Sequence, residues 1–115
     1  MATVTASDHE LVRAFRSLFD LTHDELAVTT GISTAAWERV ERGVTDRSRA
    51  SRGVRAVLDE IDEVMRVLDR VPYGDLRRWL HHSSGRTRAP IDLVHRPGGL
   101  TQLVQRLRAQ GDGLG

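Results

Sequence analysis

The sequence predicts an all-α protein, and three observations support this class. Apolar residues recur three and four positions apart along several segments, which is the spacing of one helix face. Capping residues (Ser, Thr or Asp) stand before several of those segments, and glycines or prolines follow them. No segment alternates apolar and polar residues as a half-buried strand does. We therefore expect helices only, in one compact unit of 115 residues or in two very small ones that share a core.

Composition limits the classes of protein to which the chain can belong. Cysteine is absent, which excludes disulfides and thiolate metal sites and fits a cytoplasmic protein. No apolar run has membrane-spanning length and no signal pattern follows Met1, so we expect neither a membrane protein nor an exported one. The 17 basic residues are all arginine and nearly balance 16 acidic ones, which argues against a general nucleic-acid coat.

The first predicted helix follows a loose terminus at residues 1–6. Ser7 or Asp8 can cap this helix, and it runs to about Phe19 with one apolar stripe. The stripe consists of Leu11, Ala14, Phe15, Leu18 and Phe19.

Two short helices joined by a glycine turn are predicted within residues 21–43. Thr22 caps the first helix, and Glu25 three residues later completes a capping box. Gly31 lies where this helix must stop and the chain must adopt a left-handed conformation. Ser33 caps the second helix. The inward residues of the two helices and the turn are Leu26, Ala27, Ile32, Trp37 and Val40.

This arrangement has the form of a helix-turn-helix, which places its second helix in the major groove of DNA. The outward residues of that helix are the candidate DNA contacts. Arg39 can read guanine bidentately, Thr34 can reach a phosphate or a base edge, and Ala35 can touch a thymine methyl group. Glu38 can accept from cytosine or pair with Arg42 four residues on. A helix-turn-helix kept only as scaffold is the alternative, since alanines read bases poorly and the inward tryptophan is unusually bulky.

A basic segment follows the candidate recognition helix. Residues 42–58 carry five arginines against one acid, and residues 59–63 carry four acids. Phosphate contacts are expected in this position, and Arg47 and Arg49 are the candidates together with Arg42. The alternative is a solvated helix face that the acidic continuation balances.

A long helix is predicted from about Arg47 to Arg70, because its apolar residues keep helical spacing. Val71-Pro72 ends it, since the residue before a proline is driven out of helical geometry. The apolar stripe can be intramolecular core or the seam of a helix-pair dimer. It consists of Val54, Val57, Leu58, Ile61, Val64, Met65, Leu68 and Val71.

A second small unit is predicted beyond the proline. Its first helix spans about Tyr73 to His81 with Leu76, Trp79 and Leu80 inward, and a polar loop at 83–88 follows. Trp79 is either core or a half-exposed interface anchor.

Two further helices complete this unit. Pro90 lies in the first turn of a short helix, where its missing N–H is harmless. Residues 97–99 break that helix, a last helix spans about Leu100 to Ala109, and a glycine-rich tail follows at 111–115. The inward residues are Ile91, Leu93, Val94, Leu103, Val104 and Leu107.

Catalytic and metal sites are not indicated. His81, His82 and His95 lack a carboxylate at ligand spacing on the same face, and helix-end histidines near free carbonyls are the plain explanation. The hydroxyl residues within 83–87 lack the surroundings of a nucleophile. We expect no enzymatic activity, no metal and no cofactor; a small enzyme is kept only as a third interpretation.

The second unit also carries a distinctive order of motifs. A Trp-Leu pair at 79–80 ends a helix, the run GRTRAPIDLV follows at 85–94, and Gly-Gly-Leu stands at 98–100. This order resembles the C-terminal domain of the Xre/MbcA/ParS-type antitoxins, a family that places an Xre-like helix-turn-helix first. The resemblance covers the chain from about Asp8 onward. It implies a helix-turn-helix unit at 1–46, a connecting helix at 47–71 and a toxin-binding domain at 72–115.

The resemblance implies an antitoxin that binds a toxin encoded beside it. That toxin is most often a RES-domain enzyme that consumes NAD⁺, or a related ADP-ribosyltransferase. In such antitoxins the C-terminal domain covers the entrance of the toxin's active site, while the N-terminal half dimerises and can bind promoter DNA. The toxin contacts implied here are Trp79, Arg86, Pro90, Leu93, Arg106, Arg108 and Gly113.

The manner of inhibition is a separate expectation. The last helix and the tail are expected to project, so that their arginines compete with the phosphates of NAD⁺ in the toxin. Fold maintenance is the alternative role for Trp79, Pro90 and Leu93. A plain transcriptional regulator, whose C-terminal unit dimerises or senses a ligand, is the alternative function of the whole chain.

Overall fold

A computed structural model describes residues 7–45, 47–82 and 89–110, without the side chain of Gln110. Within these ranges the chain forms α-helices and no strand, which confirms the predicted class. The predicted loose terminus, the 83–88 loop and the 111–115 tail lie outside the described residues. The helices are α1 (Asp8–Phe19), α2 (His23–Thr30), α3 (Thr34–Glu41), α4 (Arg52–Leu68), α5 (Tyr73–His81), α6 (Pro90–Leu93) and α7 (Gly99–Gln110).

Local capping signals set the boundaries of α2 and α3. The Thr22 hydroxyl accepts from the Glu25 N–H at 3.1 Å, and the Glu25 carboxylate accepts from the Thr22 N–H at 2.9 Å, so the predicted capping box is present. Gly31 ends α2 with a φ of 74° in the left-handed region, where glycine carries no steric cost. Ser33 caps α3 by accepting from the Ala36 N–H.

The long helix begins later than the sequence predicts. α4 starts at Arg52, because the Ser51 hydroxyl accepts from the Val54 N–H and caps the helix there. The predicted start near Arg47 is therefore wrong. The backbone N–H of Arg47 donates to the Asp8 carboxylate at 2.7 Å, and this contact ties the connection before α4 to α1.

One cluster of buried apolar side chains extends through all seven of these helices. α4 supplies its centre and packs against α1 on one side and α7 on the other. The predicted stripe of α4 is thus intramolecular core at most of its positions, and the three sequence parts share one core. The buried members of the stripe are Val54, Val57, Leu58, Ile61, Val64 and Leu68.

The last helix belongs to this core, which contradicts the expectation that it projects. α7 packs against α2, α4 and α6, because its apolar face must be covered. Its outer side is also tied down, since Arg108 donates to both Glu63 oxygens at 2.8 and 2.7 Å. This bidentate pair holds the pKa of Glu63 below its usual range. The buried residues of α7 are Leu100, Leu103, Val104 and Leu107.

The beginning of α7 is docked closely onto α2. The buried N–H of Leu100 donates to the Thr29 hydroxyl at 3.1 Å. Gly99 has no room for a side chain, since a Cβ would lie 2.1 Å from the carbonyl oxygen of Leu93. Only glycine, which has no Cβ, lets the backbone at position 99 come this close to the Leu93 carbonyl. The 93–100 segment is therefore fixed against the second helix of the fold.

A histidine holds the same segment at a second point. His95 Nδ1 lies 2.8 Å from a Glu25 carboxylate oxygen, and Nε2 lies 3.3 Å from the carbonyl oxygen of Phe19. Both partners are acceptors, so the ring makes both hydrogen bonds only when both nitrogens carry a proton. The hydrogen bond from His95 joins the capping interactions that hold the pKa of Glu25 below its usual range, of which the bond from the Thr22 backbone is the largest.

Candidate functional site

The outward face of α3 is the candidate nucleic-acid interface. Trp37 and Val40 point into the core with 0% and 1% of their surface exposed. Helical spacing therefore turns the intervening residues toward solvent. Thr34 is half-buried, and the exposed residues of this face are Ala35, Glu38, Arg39 and Arg42.

The polar side chains of this face differ in whether they already have a hydrogen-bond or ion-pair partner. The Thr34 hydroxyl donates to Asp24 on α2 at 2.9 Å, so it can still accept but has no proton left for a ligand. The predicted pair between Glu38 and Arg42 is not formed. Neither of these residues nor Arg39 has an ion pair within the part of the chain that the structure describes. The two guanidinium groups therefore face solvent.

The bulky Trp37 of α3 can be buried because its indole N–H has a hydrogen-bond partner. The Trp37 indole N–H donates to the Thr30 hydroxyl at 2.9 Å. That hydroxyl donates to the carbonyl of Leu26 at 2.7 Å and accepts from the Ile32 N–H at 3.2 Å. One threonine thus joins the end of α2, the turn and α3, and it fixes the angle at which α3 is presented. No motif in the sequence around Thr30 indicates this role.

A buried carboxylate joins α1, α2 and α3. Glu41, only 8% exposed, accepts from Arg16 Nε and Nη2 at 2.6 and 2.9 Å. His23 Nε2 lies 2.6 Å from the same carboxylate without hydrogen-bond alignment. Burial pushes the pKa of Glu41 upward, but the hydrogen bonds and charge of Arg16, assisted by His23, outweigh it and lower the pKa. Glu41 was not among the predicted site residues, because Arg16 is 25 positions away and no local pattern marks the pair.

The structure gives Arg47 a role inside the fold. Its Nε lies 3.1 Å from Asp8, and its Nη1 lies 2.9 Å from Asp59 and 3.7 Å from Asp62. The acidic residues at 59–63 thus balance this arginine, as expected for a solvated helix face with internally paired charges. A DNA phosphate could bind Arg47 only by displacing three carboxylates. Arg49 is exposed in the same connection.

The residues expected to contact a toxin fall into three groups. Trp79, Pro90 and Leu93 are buried. Their packing agrees with the alternative role, in which they maintain the fold. Arg106 is half-buried on α7, and Arg108 is exposed but paired with Glu63. Arg86 and Gly113 lie outside the described residues.

Trp79 retains one unusual feature. Its indole nitrogen is buried and has no hydrogen-bond partner among the residues that the structure places. A buried donor of this kind normally has a partner. His82 follows α5 directly, and residues 83–88 beyond it lie outside the described ranges.

Two classes of site are not found in the described ranges. Residues 7–45, 47–82 and 89–110 contain no group of three or more His, Asp or Glu side chains that could hold a metal ion. No helix in these ranges combines the length and the apolarity that a membrane crossing requires. No protein-family model and no curated protein matches this chain.

Proposed function

We propose that the chain is the antitoxin of a type II toxin–antitoxin system. It binds and occludes the active site of a RES-domain, NAD⁺-degrading toxin or a related ADP-ribosyltransferase. It also represses the promoter of the pair through α2 and α3, which act as an Xre-like helix-turn-helix. It works in the cytoplasm as a homodimer within a larger complex. The toxin assignment rests on the resemblance of the 79–100 motifs.

One observation carries the DNA-binding part of the proposal. α3 keeps Arg39 and Arg42 exposed opposite its buried side. α3 is a regular helix of 8 residues, and a helix with its side chains is about 10–12 Å in diameter, which fits the major groove of about 12 Å width. The Thr30 contacts hold α3 at a fixed angle, and such preorganisation lowers the entropy lost on binding.

Replacing Arg39 with alanine is expected to weaken binding to the chain's own promoter by roughly 5- to 150-fold, because a bidentate contact with guanine contributes about 1–3 kcal/mol. Fluorescence anisotropy with the promoter duplex and a scrambled duplex would measure this loss. Arg77→Ala is the matched control, since Arg77 is exposed on α5 and has no ion pair among the described residues. Equal losses for the two variants would contradict base reading by Arg39.

A plain transcriptional regulator is the second candidate. The exposed face of α3 supports a regulator as well as it supports an antitoxin. The packing of α7 into the core gives the C-terminal part a structural role that needs no toxin. Affinity capture from the native host, followed by mass spectrometry, separates the two. One near-stoichiometric partner that is toxic when expressed alone supports the antitoxin. Recovery of only the protein itself and DNA supports the regulator.

Removal of residues 110–115 is expected to weaken inhibition of the toxin by about fivefold or more, the loss typical of an interface contact contributing 1 kcal/mol. The stability of the protein is expected to stay the same, because the buried residues of α7 end at Leu107. An NAD⁺-consumption assay with the purified toxin measures inhibition, and thermal unfolding provides the control. Full inhibition by the shortened chain would rule out insertion of the tail.

A further inference from the structure

Four arginines lie within residues 47–55, around the start of α4, and the structure gives three of them partners. Arg47 binds carboxylates of α1 and α4. Arg55 donates from Nε to the carbonyl of Arg47 at 3.0 Å and from Nη2 to the carbonyl of Ala50 at 3.4 Å. Arg49 also takes part in an interaction. The side chain of Arg52 is exposed and makes no hydrogen bond or ion pair with any residue that the structure describes.

Arg52 also lies close to the turn between α2 and α3. A Cβ on the neighbouring Gly53 would lie 3.8 Å from Cδ1 of Ile32. Ile32 directly precedes Ser33, the residue that caps α3. The first turn of α4 is therefore packed beside the start of the candidate recognition helix.

The first turn of α4 offers Arg52 no acidic partner, although acids are the side chains that a helix dipole favours there. A cation at this end of a helix is unfavourable in itself. The exposed guanidinium group of Arg52 therefore stands in a positive local potential that attracts an anion.

We propose that Arg52 contacts the DNA phosphate that flanks the bases read by α3. The inference rests on the proposed DNA binding, because a duplex that holds α3 in its major groove brings a backbone strand past the start of that helix. The contact neutralises one phosphate and positions the protein without reading sequence. Sequence position alone suggested Arg47 for this role, and the contacts of the two residues favour Arg52.

The test is the salt dependence of DNA binding by the full chain. Arg52→Ala is expected to weaken binding to the promoter duplex and to a scrambled duplex by similar factors. It should also reduce the slope of log K against log salt by about one between 50 and 200 mM. Arg52→Lys keeps the charge and should retain the slope. Arg70→Ala is the control, since Arg70 is exposed at the other end of α4 and has no ion pair in the described part.

Each remaining outcome contradicts a separate statement. Wild-type affinity and slope in Arg52→Ala would overturn the phosphate contact and leave DNA binding intact. A loss confined to the promoter duplex would overturn it in favour of base reading by Arg52. Failure of the wild-type chain to bind either duplex would overturn the proposed DNA binding together with this inference. The midpoint of thermal unfolding of Arg52→Ala is expected to equal or slightly exceed that of the wild type, because the substitution removes an unfavourable charge from the helix start; this excludes misfolding as the cause.

Discussion

Replacing Gly99 with alanine is expected to destabilise the protein by about 3 kcal/mol or more. The added Cβ would lie 2.1 Å from the carbonyl oxygen of Leu93 and 3.0 Å from the Thr29 hydroxyl oxygen. Overpacking in a core commonly costs 1–3 kcal/mol. Here the nearest atom belongs to the backbone, so relief requires that α7 moves. That movement also weakens the buried hydrogen bond from Leu100 to Thr29.

Urea unfolding followed by circular dichroism measures this effect. Gly74→Ala is the matched control, because its Cβ would meet nothing within 4 Å. Gly74 lies in α5, where alanine is the better helix former, so its stability should stay the same or rise by up to about 1 kcal/mol. A Gly99→Ala protein within about 0.5 kcal/mol of the wild type would show that the docking of α7 onto α2 is not as tight as described.

Replacing Glu41 with glutamine is expected to destabilise the fold by about 2 kcal/mol at neutral pH. The amide keeps the shape but leaves Arg16 and His23 without their carboxylate. Loss of one partner from a fully buried pair costs 3–5 kcal/mol. The Arg16 and His23 side chains are 23% and 32% exposed, so water screens part of that loss.

The same variant is expected to change the response to acid. The pKa of Glu41 is lowered in the folded state from an ordinary value of 4.5. Its ionised form therefore stabilises the fold above that value, and the contribution is lost as the pH falls through the lower, folded pKa. Between about pH 6 and pH 3, the wild type should lose more unfolding free energy than Glu41→Gln.

The exposed Glu38→Gln, one turn earlier on α3, is the control for this experiment. It should unfold like the wild type at every pH. The lowered pKa values of Glu25 and Glu63 are common to all three proteins, so they do not produce a difference. Parallel pH curves for the wild type and Glu41→Gln would show that the Glu41 ion pairs do not support the fold.

The predictions that agreed with the structure depend on short stretches of sequence. Thr22, Gly31 and Ser33 act on backbone groups within a few residues, so their effect is visible in the sequence. The outward positions of α3 follow in the same way from the helical spacing of Trp37 and Val40.

The features that were missed depend on distant partners. Arg47 is held outside α4 by the Asp8 carboxylate, 39 residues away. Glu41 is paired with Arg16, 25 residues earlier. Periodicity also predicts the apolar side of α7, but it does not say that α2 and α4 cover it. Contacts between distant segments therefore determine which arginines form ion pairs within the fold and which stay exposed to solvent.

The hydrogen bond between Thr29 and Leu100 has a consequence for the order in which the chain can fold during synthesis. Its two residues are 71 positions apart. At 5–20 residues per second, a ribosome needs roughly 4–14 s to produce the stretch between them. Until α7 has emerged, the surfaces of α2 and α4 that it covers stay open to water, chaperones and proteases. The N-terminal helices therefore gain their complete packing only after the last helix of the described chain has also been made.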